Sequence, residues 1–420
     1  MKKITYKIYT LGCKVNQYDS AKLESMLKQA GFLSVKNKAN LAIINTCCVT
    51  KTAISKCKRM INKARKESPK AKIIITGCWP VVYYNEVKML NPDIVFGINQ
   101  FDILLEKIKS TKLQITNKSQ SRNFGTKLQT RLKSRYFLKI QDGCEQFCTY
   151  CIIPYTRGKL KSRPMAEVVE EVKEAVRGGY KEIVVSGIHL GLYGKTHKTK
   201  NTKHKINLVM LLNRLIKIKN LGRIRLSSIE VTEVGDDLIK FIAESNKKIC
   251  KHLHIPLQSG SNKILKLMNR PYLIKDYELR IKKIKNIITD IAITTDIIVG
   301  FPGETKKDFQ DTYNFVKKIK FSRLHVFPFS AHEKTPAYKL SNKVDKKKID
   351  ERAKKLRELG EKLEKEYRRK FIGKELEIVV EDTRGDKVKG KTEYYFDLNI
   401  NKFRKKQNLL GQIIKIRTKK

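Results

Sequence analysis

The 420-residue chain is short of negative charge: 41 aspartates and glutamates stand against 91 lysines and arginines, a formal net charge of +50. So large an imbalance turns away cationic partners and points to a polyanion, nucleic acid first and anionic membrane second. Lysine, isoleucine and asparagine are all abundant, so part of that charge is compositional background. Long apolar runs are missing as well. No stretch reaches the ~18 consecutive apolar residues of a membrane span, and residues 1–10 lack the apolar core of a signal peptide. No internal repeat is visible, which argues against a solenoid. The hydrophobic share of 40% and aromatic share of 8% suit a folded chain of two or three domains rather than a disordered one. Nine cysteines without a secretion signal argue for a reducing cytoplasm and metal ligation, not a disulfide framework.

Three of those cysteines crowd into Cys144-Glu-Gln-Phe-Cys148-Thr-Tyr-Cys151. An apolar strand-type run, 136–143, leads in, and a basic turn ending at Arg157 and Gly158 leads out. Thiolate is a soft ligand for zinc, copper(I) or iron–sulfur clusters. A structural zinc site wants four closed ligands, and an electron-transfer cluster usually takes four cysteines. Three leave one iron of a 4Fe–4S cube open to an exogenous group.

Residues 1–105 read as an α/β unit. Strands at 4–10, 41–44 and 71–75 each end in a cysteine: Cys13, Cys47 and Cys78. The carboxyl ends of parallel strands converge on one edge, where ligands bind. Three thiolates gathered there would hold a second cluster, again one ligand short; the alternative is three small buried hydrophobes. Asp19 or Ser20 reads as the cap of the first helix. Cys48 should point away from Cys47, and Cys57 and Cys250 read as core residues. Residues 106–134 read as a basic linker, either an arm for a phosphate backbone or a solvated tether.

From 135 onward, six strands alternate with helices. Six fall short of the eight of a closed barrel, so an open, partial (βα)6 barrel is expected over 135–367. Chemistry in such barrels sits at the carboxyl ends of the strands. There lie the Cys144–Cys151 loop, Gly187, Glu230, Gln258, and the turn from Gly300 through Gly303 to Glu304. Gly300 and Gly303 permit close backbone approach to a ligand or simply make a tight turn. Glu230 and Gln258 either bind polar groups of a cofactor or are solvated at strand ends. His252 and His254 read as hydrogen-bonded core histidines. Residues 195–205 form a lysine-rich insertion. A charged amphipathic helix over 343–370, threaded by Leu356, Leu359 and Leu363, leads into 368–420. Short strands there suggest a small basic β-barrel, in which Tyr394, Tyr395 and Phe396 either lie exposed to stack bases or fill the barrel. The fold class is therefore α/β, with a small C-terminal β-barrel.

The Cys144/Cys148/Cys151 loop resembles that of radical SAM enzymes. With the N-terminal three-cysteine region and the C-terminal barrel, the chain resembles the methylthiotransferases over nearly its whole length. The C-terminal barrel is similar to that family's TRAM domain, an RNA-binding module. The motifs Leu11-Gly-Cys-Lys-Val-Asn16, Asn45-Thr-Cys-Cys-Val-Thr50, Thr76-Gly-Cys78 and His252 to Ser261 look most like the branch acting on threonylcarbamoyladenosine in tRNA.

The resemblance implies two 4Fe–4S clusters and S-adenosylmethionine as cofactors. The cluster on Cys144, Cys148 and Cys151 would bind S-adenosylmethionine and cleave it to a 5′-deoxyadenosyl radical. Tyr150, Gly187, Glu230, Gln258, Gly300 and Glu304 fall where the cofactor would lie. The cluster on Cys13, Cys47 and Cys78 would carry a sulfur species, methylated by a second S-adenosylmethionine and delivered to carbon 2 of the base. Both clusters would then face one cavity. The implied partners are the anticodon loop of tRNA, where unstacked bases can be read, and a one-electron donor such as flavodoxin or ferredoxin, with no membrane. Isopentenyladenosine in tRNA and ribosomal protein S12 are the neighbouring substrates. A non-catalytic iron–sulfur protein is the reading of another class, and it would need a fourth ligand at each site.

Overall fold

Strand Leu41–Thr46 is buried at every residue, the pattern of a central strand covered by helices on both faces. It is the middle of a parallel sheet in a computed structural model that describes residues 4–98, 100–110, 134–195, 206–401 and 409–418. The chain divides into two units: residues 1–131 with 143–145 and 151–159, and residues 132–142 with 146–150 and 160–420. The expected linker falls largely on 111–133 and the lysine-rich insertion on 196–205, both outside the described residues.

In the first unit, β1 (Thr5–Thr10), α1 (Lys14–Gln29), β2 (Leu33–Ser34), β3 (Leu41–Thr46), α2 (Lys51–Glu67), β4 (Lys72–Gly77), α3 (Cys78–Val82), α4 (Tyr84–Lys88), β5 (Ile94–Val95) and α5 (Phe101–Ser110) follow in order. The strands pair in parallel as β2-β1-β3-β4-β5. This is a doubly wound order whose switch point lies between β1 and β3. Alternation sends Ile43 and Ile74 into one core, with Leu23, Leu27 and Leu104. Ile44 and Ile75 enter the other, with Cys57, Ile61 and Trp79. Each such side chain contributes roughly 1.5–3 kcal/mol on burial. Helix α2 starts where the Thr50 hydroxyl accepts the Ala53 N–H at 3.0 Å. Helix α1 begins earlier than the expected cap. Cys13 holds the N-cap position without a side-chain capping bond, and Asp19 lies in the helix interior. A short helix α6 (Ile153–Arg157) completes this unit, with Ile152 in the core of Ile44 and Trp79.

The second unit carries β6 (Tyr136–Lys139), the small antiparallel pair β7 (Gln141–Asp142) and β8 (Lys161–Ser162), α7 (Met165–Arg177), β9 (Glu182–Ser186), α8 (Leu208–Ile216), β10 (Arg223–Leu226), α9 (Asp236–Glu244), β11 (His252–His254), α10 (Asn262–Leu267), α11 (Ile274–Ile287), β12 (Ala292–Val299), α12 (Lys306–Ile319) and β13 (Arg323–Pro328). Parallel pairing links β6-β9-β10 and β11-β12-β13. Isolated parallel bridges, Ile224 with Ile249 and Ser228 with His254, join the two sets. Six strands thus run in sequence order, and among the described residues no pairing joins β6 to β13. The arrangement is the open one expected. Helix α13 (Lys346–Arg369) buries Leu356, Leu359 and Leu363, the three leucines expected to form its thread.

The C-terminal strands β14 (Glu375–Arg384), β15 (Lys387–Thr392), β16 (Asp397–Ile400) and β17 (Ile413–Arg417) make an antiparallel sheet in the order β16-β15-β14-β17. Among the described residues no pairing closes it. Its aromatics do not lie exposed as one reading expected. Phe396 is buried against Phe371 and Leu376, Tyr394 packs on Phe371 at 4.4 Å, and Tyr395 stacks on His252 at 4.2 Å. Apolar burial outweighs base stacking as the use for these rings. A buried ion cluster ties the sheet to the amino ends of β9 and β10. Glu182 accepts Arg223 Nε at 2.6 Å and Arg225 Nε at 2.8 Å. The same guanidinium groups donate to the carbonyls of Glu377, Lys391 and Thr392 at 3.0, 2.9 and 2.8 Å.

Candidate active site

Three turns bring Cys13, Cys47 and Cys78 to the carboxyl edge of the first sheet, each just beyond a strand end. Gly12 and Gly77 precede two of them with φ of +101° and +97°, a region that disfavours any side chain. A Cβ on Gly77 would stand 2.4 Å from the Thr46 carbonyl oxygen, and one on Gly12 would stand 2.9 Å from Cys47 Cβ. Only glycine lets the neighbouring strand ends approach so closely. Asn16 lies at the centre. Its amide nitrogen donates to the carbonyls of Leu11 and Thr46, both at 2.9 Å. Those two bonds point the amide oxygen to the thiols: Cys13 Sγ is 3.8 Å away and Cys78 Sγ 3.9 Å.

A cation completes this group. Arg157, in the segment following Cys151, donates to Asn16 Oδ1 at 2.5 Å and to Asp19 Oδ2 at 3.0 Å. Its side chain is 1% exposed. Burial pushes the Cys47 thiol up to about 11 and the Cys78 thiol up to about 12, with Arg157 pulling both down. Ligation would therefore release protons on metal uptake. Cys48 and Cys57 are buried in the core that also holds Cys78, and Cys250 is buried in the second unit. Cys57 and Cys250 are core residues, as expected. All nine cysteines are free thiols.

In the Cys144–Cys151 loop, Cys144 and Cys151 are half-buried and Cys148 is buried. The Cys144 N–H donates to the Gly158 carbonyl at 3.0 Å. Cys148 Sγ accepts from Arg270 at 3.2 Å, and Arg270 also pairs with Glu230. Burial raises the Glu230 carboxyl, opposed by that guanidinium. Thr149 anchors the loop through its hydroxyl to the Leu267 carbonyl at 2.7 Å. Tyr150 packs on Ile264, Met268 and Phe301.

The remaining expected contact residues are mostly held by protein. Gly187 lies against Gln141, whose Oε1 would be 2.8 Å from an added Cβ. Gly300, with φ of +74°, faces Ile349, whose Cγ1 would be 2.3 Å from a Cβ, so the close approach there is made by protein. Glu304 pairs with Arg352 and accepts the Gly300 N–H at 3.2 Å, bracing that turn. Gln258 holds a left-handed φ of +63°, secured by backbone bonds to Asp296 and Ile298 at 2.8 and 2.9 Å. His252 and His254 both bond the Thr294 hydroxyl, at 3.0 and 2.9 Å, as core histidines should. Arg157, Arg270 and Arg352 were not singled out from the sequence. A lone arginine has no spacing signal, though Arg157 and Arg270 stand near motif residues.

Among the described residues no three His, Cys, Asp or Glu side chains close on a single metal ion. A cubane places each thiolate on a separate iron, so its ligands stand further apart than those of one ion. The all-thiol donor sets fit such a cluster, each with a more open member: Cys47, Cys78 and Cys148 are buried, Cys144 and Cys151 half-buried, and Cys13 exposed.

A chain that carries an open barrel of six parallel strands, a three-cysteine loop, and a doubly wound unit with three strand-end thiols is of the radical SAM class. Residues 138–316 match the radical SAM superfamily and residues 5–97 match the uncharacterized protein family UPF0004. In fold the chain is similar to the radical S-adenosylmethionine methyltransferase TsrM from Kitasatospora setae, solved with cobalamin and a [4Fe–4S] cluster bound. That match has TM-score 0.59 and 13% identity, over 80% of this chain and 77% of that one. The threonylcarbamoyladenosine tRNA methylthiotransferase MtaB of Bacillus subtilis (strain 168) is 36% identical over 98% of this chain and 93% of its own. The Thermotoga maritima protein of the same name is 40% identical over 90% and 86%. The tRNA-2-methylthio-N(6)-dimethylallyladenosine synthase of Alkaliphilus oremlandii is 36% identical over 98% and 89%. The chain belongs to the radical SAM tRNA methylthiotransferase family. It is an enzyme whose cofactors are 4Fe–4S clusters and S-adenosylmethionine.

Proposed function

We propose that this enzyme methylthiolates carbon 2 of N6-threonylcarbamoyladenosine at position 37 of tRNA. The observation that carries the reading is the second set of three thiols, Cys13, Cys47 and Cys78, brought together from three strand ends around Asn16. Cys144, Cys148 and Cys151 would hold the other cluster, which supplies the electron for reductive cleavage of S-adenosylmethionine. Cys13, Cys47 and Cys78 would hold the cluster that carries the sulfur. Tyr150, on its apolar support, and Gln258, in its strained turn, are the residues proposed against the cofactor. Glu230 would act through Arg270, and Gly187, Gly300 and Glu304 would shape the surrounding turns.

The tRNA would be gripped by its phosphates. Helix α2 exposes Lys51, Lys56, Lys58, Arg59 and Lys63 along one face, and the charge of +50 makes binding fall steeply with salt. The C-terminal sheet is proposed as a TRAM-like module that contributes through its basic surface rather than its aromatics. A flavodoxin or ferredoxin would supply electrons in a reducing cytoplasm. No helix among the described residues is long and apolar enough to cross a membrane.

Mass spectrometry of tRNA nucleosides from cells with and without the protein tests the substrate. The expected outcome is loss of methylthiolated threonylcarbamoyladenosine on deletion. Loss of methylthiolated dimethylallyladenosine instead would move the enzyme to the branch of its Alkaliphilus relative, and no change in either would remove both.

A further inference from the structure

A buried arginine beside three thiols is an unusual expense for a fold, and Arg157 is held there by two partners from α1. Its guanidinium spans Asn16 Oδ1 at 2.5 Å and Asp19 Oδ2 at 3.0 Å, and the same Asn16 oxygen lies 3.9 Å from Cys78 Sγ. Asn16 cannot turn away, because its amide nitrogen is committed to the Leu11 and Thr46 carbonyls. The arginine is therefore aimed from two sides. It comes from the segment 151–159, which begins at a loop cysteine and belongs to the same unit as the strand-end thiols. A purely structural tie between that segment and α1 would need only the Asp19 pair. The contact with Asn16, whose oxygen also faces Cys13 and Cys78, is what a tie alone leaves unexplained.

We infer that Arg157, set by Asn16 and partly offset by Asp19, is the fixed counter-charge of the cluster held by Cys13, Cys47 and Cys78. The inference rests on the two-cluster reading above. Three thiolates on an oxidised cubane core of charge 2+ leave one net negative charge, and uptake of one electron from a low-potential donor leaves two. Cluster potentials follow net charge and hydrogen bonds to the sulfurs. Arg157 holds the reduced state more firmly than the oxidised one, and Asp19 opposes it. Arg157 acts through the cluster and is a positioning residue, not a catalytic one. A lysine keeps the charge but lacks the planar fork that reaches Asn16 and Asp19 together.

The test uses the full chain with C144A, C148A and C151A, reconstituted with iron and sulfide so that only the strand-end cluster forms. Its midpoint potential is read by dithionite titration followed by EPR. R157Q should shift the midpoint to more negative values, R157K should fall between R157Q and the parent, and D19N should shift it to more positive values. Loosened packing would move R157Q and D19N in the same direction, so opposite signs carry the inference. Unchanged midpoints, or shifts of the same sign, overturn it. If R157Q takes up no iron, D19N decides alone: a positive shift upholds the inference and any other result ends it. A parent that forms no cluster would instead sink the two-cluster reading itself, and the inference with it.

Discussion

The two sets of three cysteines are built in opposite ways. Cys144, Cys148 and Cys151 share one loop, and their grouping is a property of eight consecutive residues. Cys13, Cys47 and Cys78 come from three strand ends, and only the parallel order β1-β3-β4 makes them neighbours. The loop leans on side-chain anchors such as Thr149 on Leu267. The strand-end set leans on glycine turns and on Asn16. A local site should survive damage that a topological one does not.

Removing thiols breaks the comparison most completely. Cys78→Ala should abolish methylthiolation while leaving reductive cleavage of S-adenosylmethionine, measured as 5′-deoxyadenosine. Cys148→Ala should abolish both. Cleavage lost equally in the two variants would mean that the sets are not separate sites.

Glu182→Gln should cost about 3–5 kcal/mol in urea unfolding, because it leaves Arg223 and Arg225 buried with a carboxylate removed. Iron content at low temperature should hold, since the ion cluster lies at the amino ends of the strands. Burial alone would raise this carboxyl, but Arg225 and Arg223 hold it down to about 2. Its stabilisation is therefore fully present above the ordinary glutamate range and is lost as pH falls toward that value. Acid unfolding curves of the wild type and the glutamine variant should converge below that window.

Gly77→Ala should cost about 1–3 kcal/mol from its backbone conformation, with the clash on the Thr46 carbonyl added. Iron bound should drop by about half, the loop cluster remaining. Full iron retention would mean that the strand-end site tolerates displacement. Thr50→Ala is the smallest change, about 1 kcal/mol from a lost helix cap, with iron content unaltered.

The open six-stranded barrel and the helix thread of Leu356, Leu359 and Leu363 were legible because periodicity and turn residues are local signals. Cys57 was legible as a core residue too, since a small thiol inside a helix buries readily. Asp19 was misread as a cap, because a carboxylate near a helix start looks the same whether it caps or pairs with a distant arginine. The aromatics Tyr394 to Phe396 could be read either way for a similar reason: burial depends on what packs against them, here Phe371 and His252.

Composition, spacing and strand-end position, taken alone, determined two sets of three thiols, a basic surface and a parallel α/β frame. Only the tertiary structure decided which charges meet them. Arg157 reaches Asn16 and Asp19 across more than a hundred residues of chain, and Arg270 reaches Cys148 across a similar span. Ligand count is written in neighbouring residues, whereas the field around a ligand is set by groups that packing brings together from far along the chain.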